Sequence, residues 1–414
     1  MNRVVITGFG AVSSIGNSEK DIMFSLKNGK SGITISNEMK EMGIKSHVFG
    51  NININKIKEN IPFRMLKYMN SATIYAYLSM QQAIISSKLS SKIYRYNPKI
   101  GLIIGSGTHP SQCSYSNIQS IKQDKKGNIR MNPHSIITTM PSNLSAVLST
   151  IFNIQGFSYS ISSACTTSSH CIGHAFELIR NGQQTVIFSG GAEELSCQLA
   201  LEFDSMKALS TKYNNNPVIA SRPYDKNRDG FVISGGGGVV VLEELQHAIN
   251  RSAYIYGEIK SYASVSDGFN MLIPSDNGAL RCMKNALKNI TTSIDYINMH
   301  GTSTKIGDKK EGLAVLNLFK NKKKYLLPPL SSSTKSITGH ALGASGVHEI
   351  IYCLLMIKYN FIAPNINIEN IDPDLIELNI ATKTINKKIN VIMSNNFGFG
   401  GSNVVFVISK YNFL

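Results

Sequence analysis

The sequence predicts an α/β fold of layered mixed or parallel sheets. Three observations carry this. Short β-branched runs alternate with helical stretches: Val4–Ile6, Lys99–Ser106, Val186–Phe188, Val239–Leu242 and Val404–Ile408 all read as strands beside glycines. The 414 residues exceed one simple core, which predicts two domains or fused halves, drawn here at 1–250 and 251–414. Finally, Phe231 with Gly235–Gly238 precedes one β-branched strand, and Phe397–Gly401 precedes another. That similarity hints at an internal duplication.

The elements follow in order. Val4–Gly16 reads as a strand and a glycine turn. Gly8-x-Gly10 invites a dinucleotide site, but the third glycine position is Ser13 and no acidic residue ends a second strand about 20 residues on, so the glycines are read as a tight turn. Residues 67–87 are helical, with Met69, Ala72, Ala76, Met80, Ala83 and Ile84 on one face. Arg64 and Lys67 mark its start. Residues 108–135 are polar, basic and aperiodic, an exposed excursion. Phe157–Ile161 alternates like a short buried strand, and Ser162–Ser168 turns into a helix with Ile172, Ala175, Phe176 and Ile179 inward and Asn181-Gly182 at its end.

Cys165 therefore sits on a strand-to-helix turn at a helix N-terminus. Free backbone N–H groups and the helix dipole there favour a thiolate. Its small neighbours Ser163, Ala164 and Thr166 leave room for a substrate. Ser221–Phe231 is a loop rich in turn formers. Three polar clusters follow: Asn298–Thr304 after a strand, Lys335–Gly343 before a helix bearing Val347, Ile350, Ile351, Leu354 and Leu355, and Phe397–Asn403. His300 and His340 lie among small residues and hydroxyls, as groups that meet a substrate do.

Composition removes other classes. Hydrophobic content is 42%, enough for a sizeable core. No apolar run is long enough to span a bilayer, and Arg3–Thr7 enters a strand with no charged-then-apolar leader, so neither a membrane anchor nor a secretory signal is expected. The 6 cysteines show no Cys-x-x-Cys pair and no metal spacing, which points to a reduced cytoplasm. The net charge of +16 fits nucleic acid, an anionic membrane, an acidic protein, or plain compositional drift. Lys122–Lys126, Lys322–Lys324 and Lys387–Lys388 look like loop tips and lack interleaved aromatics, so neither nucleic acid nor membrane is expected as a partner.

A cysteine nucleophile with one histidine suits acyl transfer. With two histidines, two neutral Nε2–H donors can converge on one thioester oxygen and stabilise an enolate, which suits decarboxylation and carbon–carbon bond formation. A cysteine hydrolase would want a base oriented by Asn or Asp. Residue types alone leave these open.

Ser163–Ser168, Asp295–Thr304, Lys335–His340 and Asn396–Gly401 resemble the β-ketoacyl-[acyl carrier protein] synthases, and Tyr159–Ile161 and Leu209–Asn214 are most similar to the synthase I branch. The resemblance runs from Arg3 to the last strand. It implies a thiolase-like fold, two similar halves in five αβαβα layers, assembled as a homodimer. It implies an acyltransferase that condenses an acyl chain on Cys165 with malonyl-[acyl carrier protein] in fatty-acid elongation, with no cofactor beyond the carrier's phosphopantetheine. His300 and His340 would drive decarboxylation, with Lys335 organising them and Glu311 as the buried partner of Lys335. Cys165 and Phe399 would form the oxyanion hole, Phe399 also gating the acyl pocket. Thr302, Thr304, Phe203, Phe231 and Gly400 would bind substrate. The acidic carrier protein would dock on Arg64, Lys67, Lys122, Lys125 and Lys126. Thr108 and His109 depart from the family's glycine run and put chain-length preference in question. The alternatives are synthase II-type specificity, a biosynthetic thiolase, which would need a second cysteine near the C-terminal glycine loop, and a non-catalytic partner subunit, which would lack the nucleophile.

Overall fold

The computed structural model describes residues 1–414 except 56, 58, 60, 124, 321–326 and 412–414. The first half supplies β1 (Val4–Val12), β2 (Ile100–Gly105), β3 (Ser158–Tyr159), β4 (Val186–Glu193) and β5 (Gly236–Glu244). The second supplies β6 (Gly257–Ser266), β7 (Tyr296–Asn298), β8 (Leu330–Ser332), β9 (Val391–Gly398) and β10 (Ser402–Ser409). They hydrogen-bond in the order β8-β7-β9-β10-β6-β1-β5-β4-β2-β3. The halves meet at a short seam, Val5 opposite Glu258 and Ile6 opposite Gly257.

Outward from that seam, each half reads first, fifth, fourth, second, third strand. In each, the fifth strand is antiparallel to its neighbours, and the second is parallel to the fourth and third. The duplication hinted at by the glycine clusters is thus a duplication of topology.

Side-chain alternation builds the layers. Leu102, Phe188, Val239 and Val241 pack with helices α1 (Ser71–Ser87) and α2 (Asn143–Phe152). Their neighbours Ile103, Ile187, Val240 and Leu242 point the other way, onto α3 (Thr167–Arg180). In the second half, Val405 and Val407 join α4 (Gly278–Ala286) and α5 (Lys305–Phe319), while Val404 and Phe406 join α6 (Ser345–Tyr359). Period-two strands with both faces covered give five layers, with α3 and α6 at the centre. Every residue of α6 from Ser345 to Ile357 is buried. Each Leu or Ile buried there contributes about 1.5–3 kcal/mol.

Several local expectations change. Gly8 and Gly10 lie inside β1 and make no turn. A Cβ at Gly8 would stand 2.5 Å from the Ser87 Cβ, and one at Gly10 2.1 Å from the Ser79 carbonyl oxygen, so these glycines let α1 press onto the strand. Gly190 and Gly191 likewise lie within β4. β3 is a half-buried edge strand, and Phe157 before it is 44% exposed. The 108–135 excursion contains a helix, Ser111–Gln119, and a small hairpin, Lys122–Gln123 with Ile129–Arg130, and it exposes Tyr115, Ile118 and Ile129. Lys322–Lys324 lie outside the described residues.

Candidate active site

Cys165, His300 and His340 come together in a cavity of about 410 Å³, lined also by Phe203, Phe231 and Phe399. Each arrives from a different loop, at the end of the sheet where α3 and α6 begin. The nucleophile turn is sharp: Ala164 has φ 51, and Thr166 N–H donates to the Ser163 carbonyl at 3.1 Å. That left-handed backbone at a non-glycine residue is held by its surroundings.

The Cys165 sulfur is 3.1 Å from His340 Nε2. Backbone N–H groups of Phe399 and Cys165 both face it, and with Lys335 they favour the thiolate, but burial dominates and pushes the thiol up to about 12. The resting nucleophile is therefore a thiol, contrary to the expectation from its helix N-terminus. Burial, then Lys335, also hold His340 well below the usual imidazole range, so the pair is neutral. His340 Nδ1 lies 2.8 Å from Ser345 Oγ.

His300 stands 5.3 Å from His340, ring centre to ring centre. Burial, Lys335 and His340 keep it neutral too. Its Nδ1 is 3.3 Å from the Lys335 ammonium and 3.4 Å from Asn396 Nδ2, and both of these can only donate. The ring proton therefore sits on Nε2. Lys335 also donates to the His300 carbonyl at 2.8 Å.

The partner of Lys335 is Glu349 on α6, which corrects the expectation of Glu311. Burial raises Glu349, against the pull of Lys335, to about 7. Asn396 Nδ2 donates to its second oxygen at 3.3 Å. Glu311 is buried as expected but does other work. It accepts the backbone N–H groups of His300 and Gly301, each at 2.8 Å, and the Tyr224 hydroxyl at 2.9 Å. It holds the histidine loop, not the lysine. Asp308 does the same one turn away, accepting from Thr302 N–H at 2.9 Å and Ser303 N–H at 3.1 Å. Thr302 and Thr304 both line the cavity, their hydroxyls 3.0 Å apart.

Three rings shape the wall. Phe203 meets Phe231 at 5.3 Å and Phe399 at 6.5 Å, and Phe231 meets His340 at 5.5 Å. Phe399 is 40% exposed, as a residue at the mouth should be. Gly400 does not line the cavity, against expectation. Its N–H donates to the Met271 carbonyl at 2.8 Å, tying its loop to the segment Met271–Ile273. That segment lines the mouth and was not singled out from the sequence, where its only signal is apolar residues in a loop. Thr108 is held back by Glu193, which accepts its hydroxyl at 2.7 Å and that of Ser106 at 2.6 Å, while His109 is exposed.

Arg64 and Lys67 are exposed on the turn Phe63–Tyr68, beside Phe63. Lys122, Lys125 and Lys126 are exposed on the hairpin of the excursion. None of the five lines the cavity.

A neutral thiol between two N–H donors can accept an acyl group, with its oxyanion held by the backbone. Two Nε2 atoms facing the same cavity can hold a second oxyanion. Among the described residues neither imidazole has its Nδ1 against an Asn or Asp oxygen, as a hydrolytic base would: His300 Nδ1 faces the Lys335 ammonium and the Asn396 amide nitrogen, and His340 Nδ1 faces Ser345 Oγ. Among the described residues Cys165 is the only cysteine lining the cavity, so the base a thiolase needs is missing.

The comparisons agree along the whole chain. Residues 1–248 match the family model for the N-terminal domain of β-ketoacyl synthases, and 256–369 that for their C-terminal domain. The chain is 53% identical over 411 residues to a 3-oxoacyl-[acyl-carrier-protein] synthase 1 from Buchnera aphidicola subsp. Baizongia pistaciae, covering 99% of this chain and 100% of the relative. Against the protein of that description from Escherichia coli K12, identity is 49% over 410 residues, covering 99% of each. A β-ketoacyl synthase from Burkholderia phymatum superposes with TM-score 0.88 at 30% identity over 100% of both chains. A ketosynthase solved in complex with a type II polyketide acyl-carrier protein superposes with TM-score 0.88 at 26% identity, covering 99% of this chain and 100% of that one.

Proposed function

The chain belongs to the β-ketoacyl synthase family, and from that premise we propose how its residues divide the reaction. The enzyme condenses an acyl chain with malonyl-[acyl carrier protein], giving 3-oxoacyl-[acyl carrier protein], CO2 and free carrier in fatty-acid elongation. In the first half-reaction the Cys165 sulfur attacks the acyl thioester. The oxyanion is held by the N–H groups of Cys165 and Phe399, and the thiol proton ends on the departing pantetheine sulfur. In the second, the malonyl carboxylate leaves as CO2 while the thioester oxygen takes up enolate charge beside Nε2–H of His300 and His340. The enolate carbon attacks the acyl-cysteine, and the released sulfur recovers a proton from solvent. Lys335, with Glu349, fixes the tautomer of His300. Thr302 and Thr304 hydrogen-bond the pantetheine arm, and Phe399 gates the pocket. No step draws on a resident cofactor.

One observation carries this reading: the thiol and both neutral imidazoles face one cavity, with the His300 proton assigned to Nε2 by a lysine that cannot accept. Incubation with acyl-[acyl carrier protein] should add one acyl group per chain, on the peptide containing Cys165. Label on Cys171 or Cys197 would sink the assignment. Adding malonyl-[acyl carrier protein] and reading product lengths by mass spectrometry separates synthase I from synthase II specificity.

Three further features go with it. The acyl carrier protein docks on Arg64, Lys67, Lys122, Lys125 and Lys126; a related ketosynthase solved with its carrier protein supports such a partner. The enzyme is a homodimer. The exposed edge of β3 and the apolar side chains of the 111–136 region support this, and light scattering at working concentration tests it. Its 6 free thiols favour a reducing cytoplasm, which cell fractionation tests.

A further inference from the structure

His170 takes no part in the scheme above, yet it stands one turn into α3 from the nucleophile. Its Nδ1 is 2.7 Å from Ser163 Oγ, and its Nε2 is 2.8 Å from Ser264 Oγ. Ser163 opens the strained turn, and its carbonyl accepts the Thr166 hydroxyl at 2.7 Å. That hydroxyl is 2.9 Å from the one on Ser402. The far anchors belong to the other half. Ser264 lies on β6, paired opposite Val404 of β10, and Ser402 opens β10 directly after the Phe399 loop. A Cβ at Gly398, the last residue of β9, would stand 3.3 Å from the Cys165 nitrogen, so the β9–β10 hairpin already touches the turn.

The oxyanion hole takes one N–H from each side of this junction: Cys165 from the turn, Phe399 from the hairpin. Their spacing depends on how firmly the two pieces are joined. The ring of His170 is half-buried, and burial lowers its pKa, so it stays neutral with one donor and one acceptor. In either tautomer it can bridge two hydroxyls, which can each donate or accept.

We propose that His170 is a positioning residue for the oxyanion hole: through Ser163 and Ser264 it locks the nucleophile turn to β6, the strand paired with the β9–β10 hairpin, and so sets the separation of the Cys165 and Phe399 N–H groups. The inference rests on the reading that Cys165 carries the acyl group between those donors. It separates the two oxyanion sites of the enzyme, since His300 and His340 have their own supports, Lys335, Ser345 and Glu311.

The test uses the full chain and three measurements: the single-turnover rate of Cys165 acylation, the rate of malonyl-thioester decarboxylation without an acyl donor, and the melting temperature. His170→Ala should slow acylation roughly ten-fold, less than the ~10²–10³-fold loss of a whole donor. Decarboxylation and melting temperature should stay near wild type. His170→Gln, whose amide offers a donor and an acceptor, should recover most of the rate. Should His170→Ala fail to fold, Ser264→Ala removes the far hydroxyl alone and should give the same split. Unchanged acylation in the variant, or acylation and decarboxylation falling together with melting temperature, overturns the proposal. Acyl label away from Cys165 in the wild type overturns the parent reading as well.

Discussion

The helices α3 and α6 pack at the centre of the molecule, and each follows the third strand of its half. Equivalent positions in one repeated topology thus present Cys165 before α3 and His340 before α6. There the likeness ends. The approach to α3 from Ser160 to Ser169 contains hydroxyls, one isoleucine, one alanine and one thiol, with no charge. The approach to α6 contains Lys335 and His340, and α6 itself carries His348 and Glu349 in a wholly buried setting. The repeat supplied two converging helix N-termini. The chemistry came from placing a nucleophile before one and the neutral donor His340 before the other, where Lys335 and Glu349 also form the buried ion pair that meets His300.

The comparison can be broken most severely at that pair. Glu349→Ala leaves the Lys335 charge buried alone, which should cost about 3–5 kcal/mol in urea unfolding. Replacing both residues with apolar side chains of similar volume should cost much less. Equal losses would mean that the pair is not what holds the second half's site.

Next come the donors. His300→Ala and His340→Ala should each still accept an acyl group on Cys165 but lose condensation by ~10²–10³-fold. Single-turnover labelling beside product formation separates the two steps. A parallel fall in both would erase the division of labour between the halves.

A pH series sharpens the contrast further. Burial holds His348 down at about 4 against an ordinary 6.5, and His300 and His340 also lie well below it. The native state keeps these rings neutral, while the unfolded chain takes up protons as pH falls below 6.5. Their contribution to stability is complete above that value and is lost as pH falls below it, over the window from 6.5 to about 4 for His348. For His348 the gap corresponds to about 3 kcal/mol. Urea midpoints should drop over this window, and His348→Gln should flatten the drop.

The smallest effect concerns the carrier. Exposed charges contribute only ~0.2–1 kcal/mol each and are screened beyond ~8 Å at physiological salt. Arg64→Glu with Lys67→Glu should raise the apparent KM for carrier-bound substrate a few-fold and leave a small acyl-pantetheine substrate unaffected. Lys387→Glu with Lys388→Glu is the control. Equal effects from both double variants would mean a diffuse charge with no dedicated patch.

Most of the chemistry was legible because it sits in short local motifs. Cys165, His300, Lys335 and His340 each carry neighbours that mark a turn or a helix start. What escaped was set by packing between distant segments. Glu349 is flanked by His348 and a run of apolar residues, and nothing local says which cation it meets; Glu311 looked equally fit for Lys335. Gly8 and Gly10 read as a turn because the close approach of α1 appears only in three dimensions. The edge position of β3 is likewise a property of the whole sheet, so an alternating pattern was read as burial. The duplication was visible at two glycine clusters, but its proof is strand order.

That strand order also has a consequence for synthesis. β1 emerges first, yet Thr7 on it hydrogen-bonds Glu243, 236 positions later. β10, the last of the described strands, does not add to an edge; it inserts between β6 and β9. Neither half can close until its own fifth strand has left the ribosome, and pairings this distant form slowly. Until β10 arrives, the facing edges of β6 and β9 stand open, each a row of unpaired backbone groups prone to aggregation. A nascent chain halted after Asn395 would already hold the cysteine, the lysine and both histidines, and would still have no Phe399 to complete the oxyanion hole.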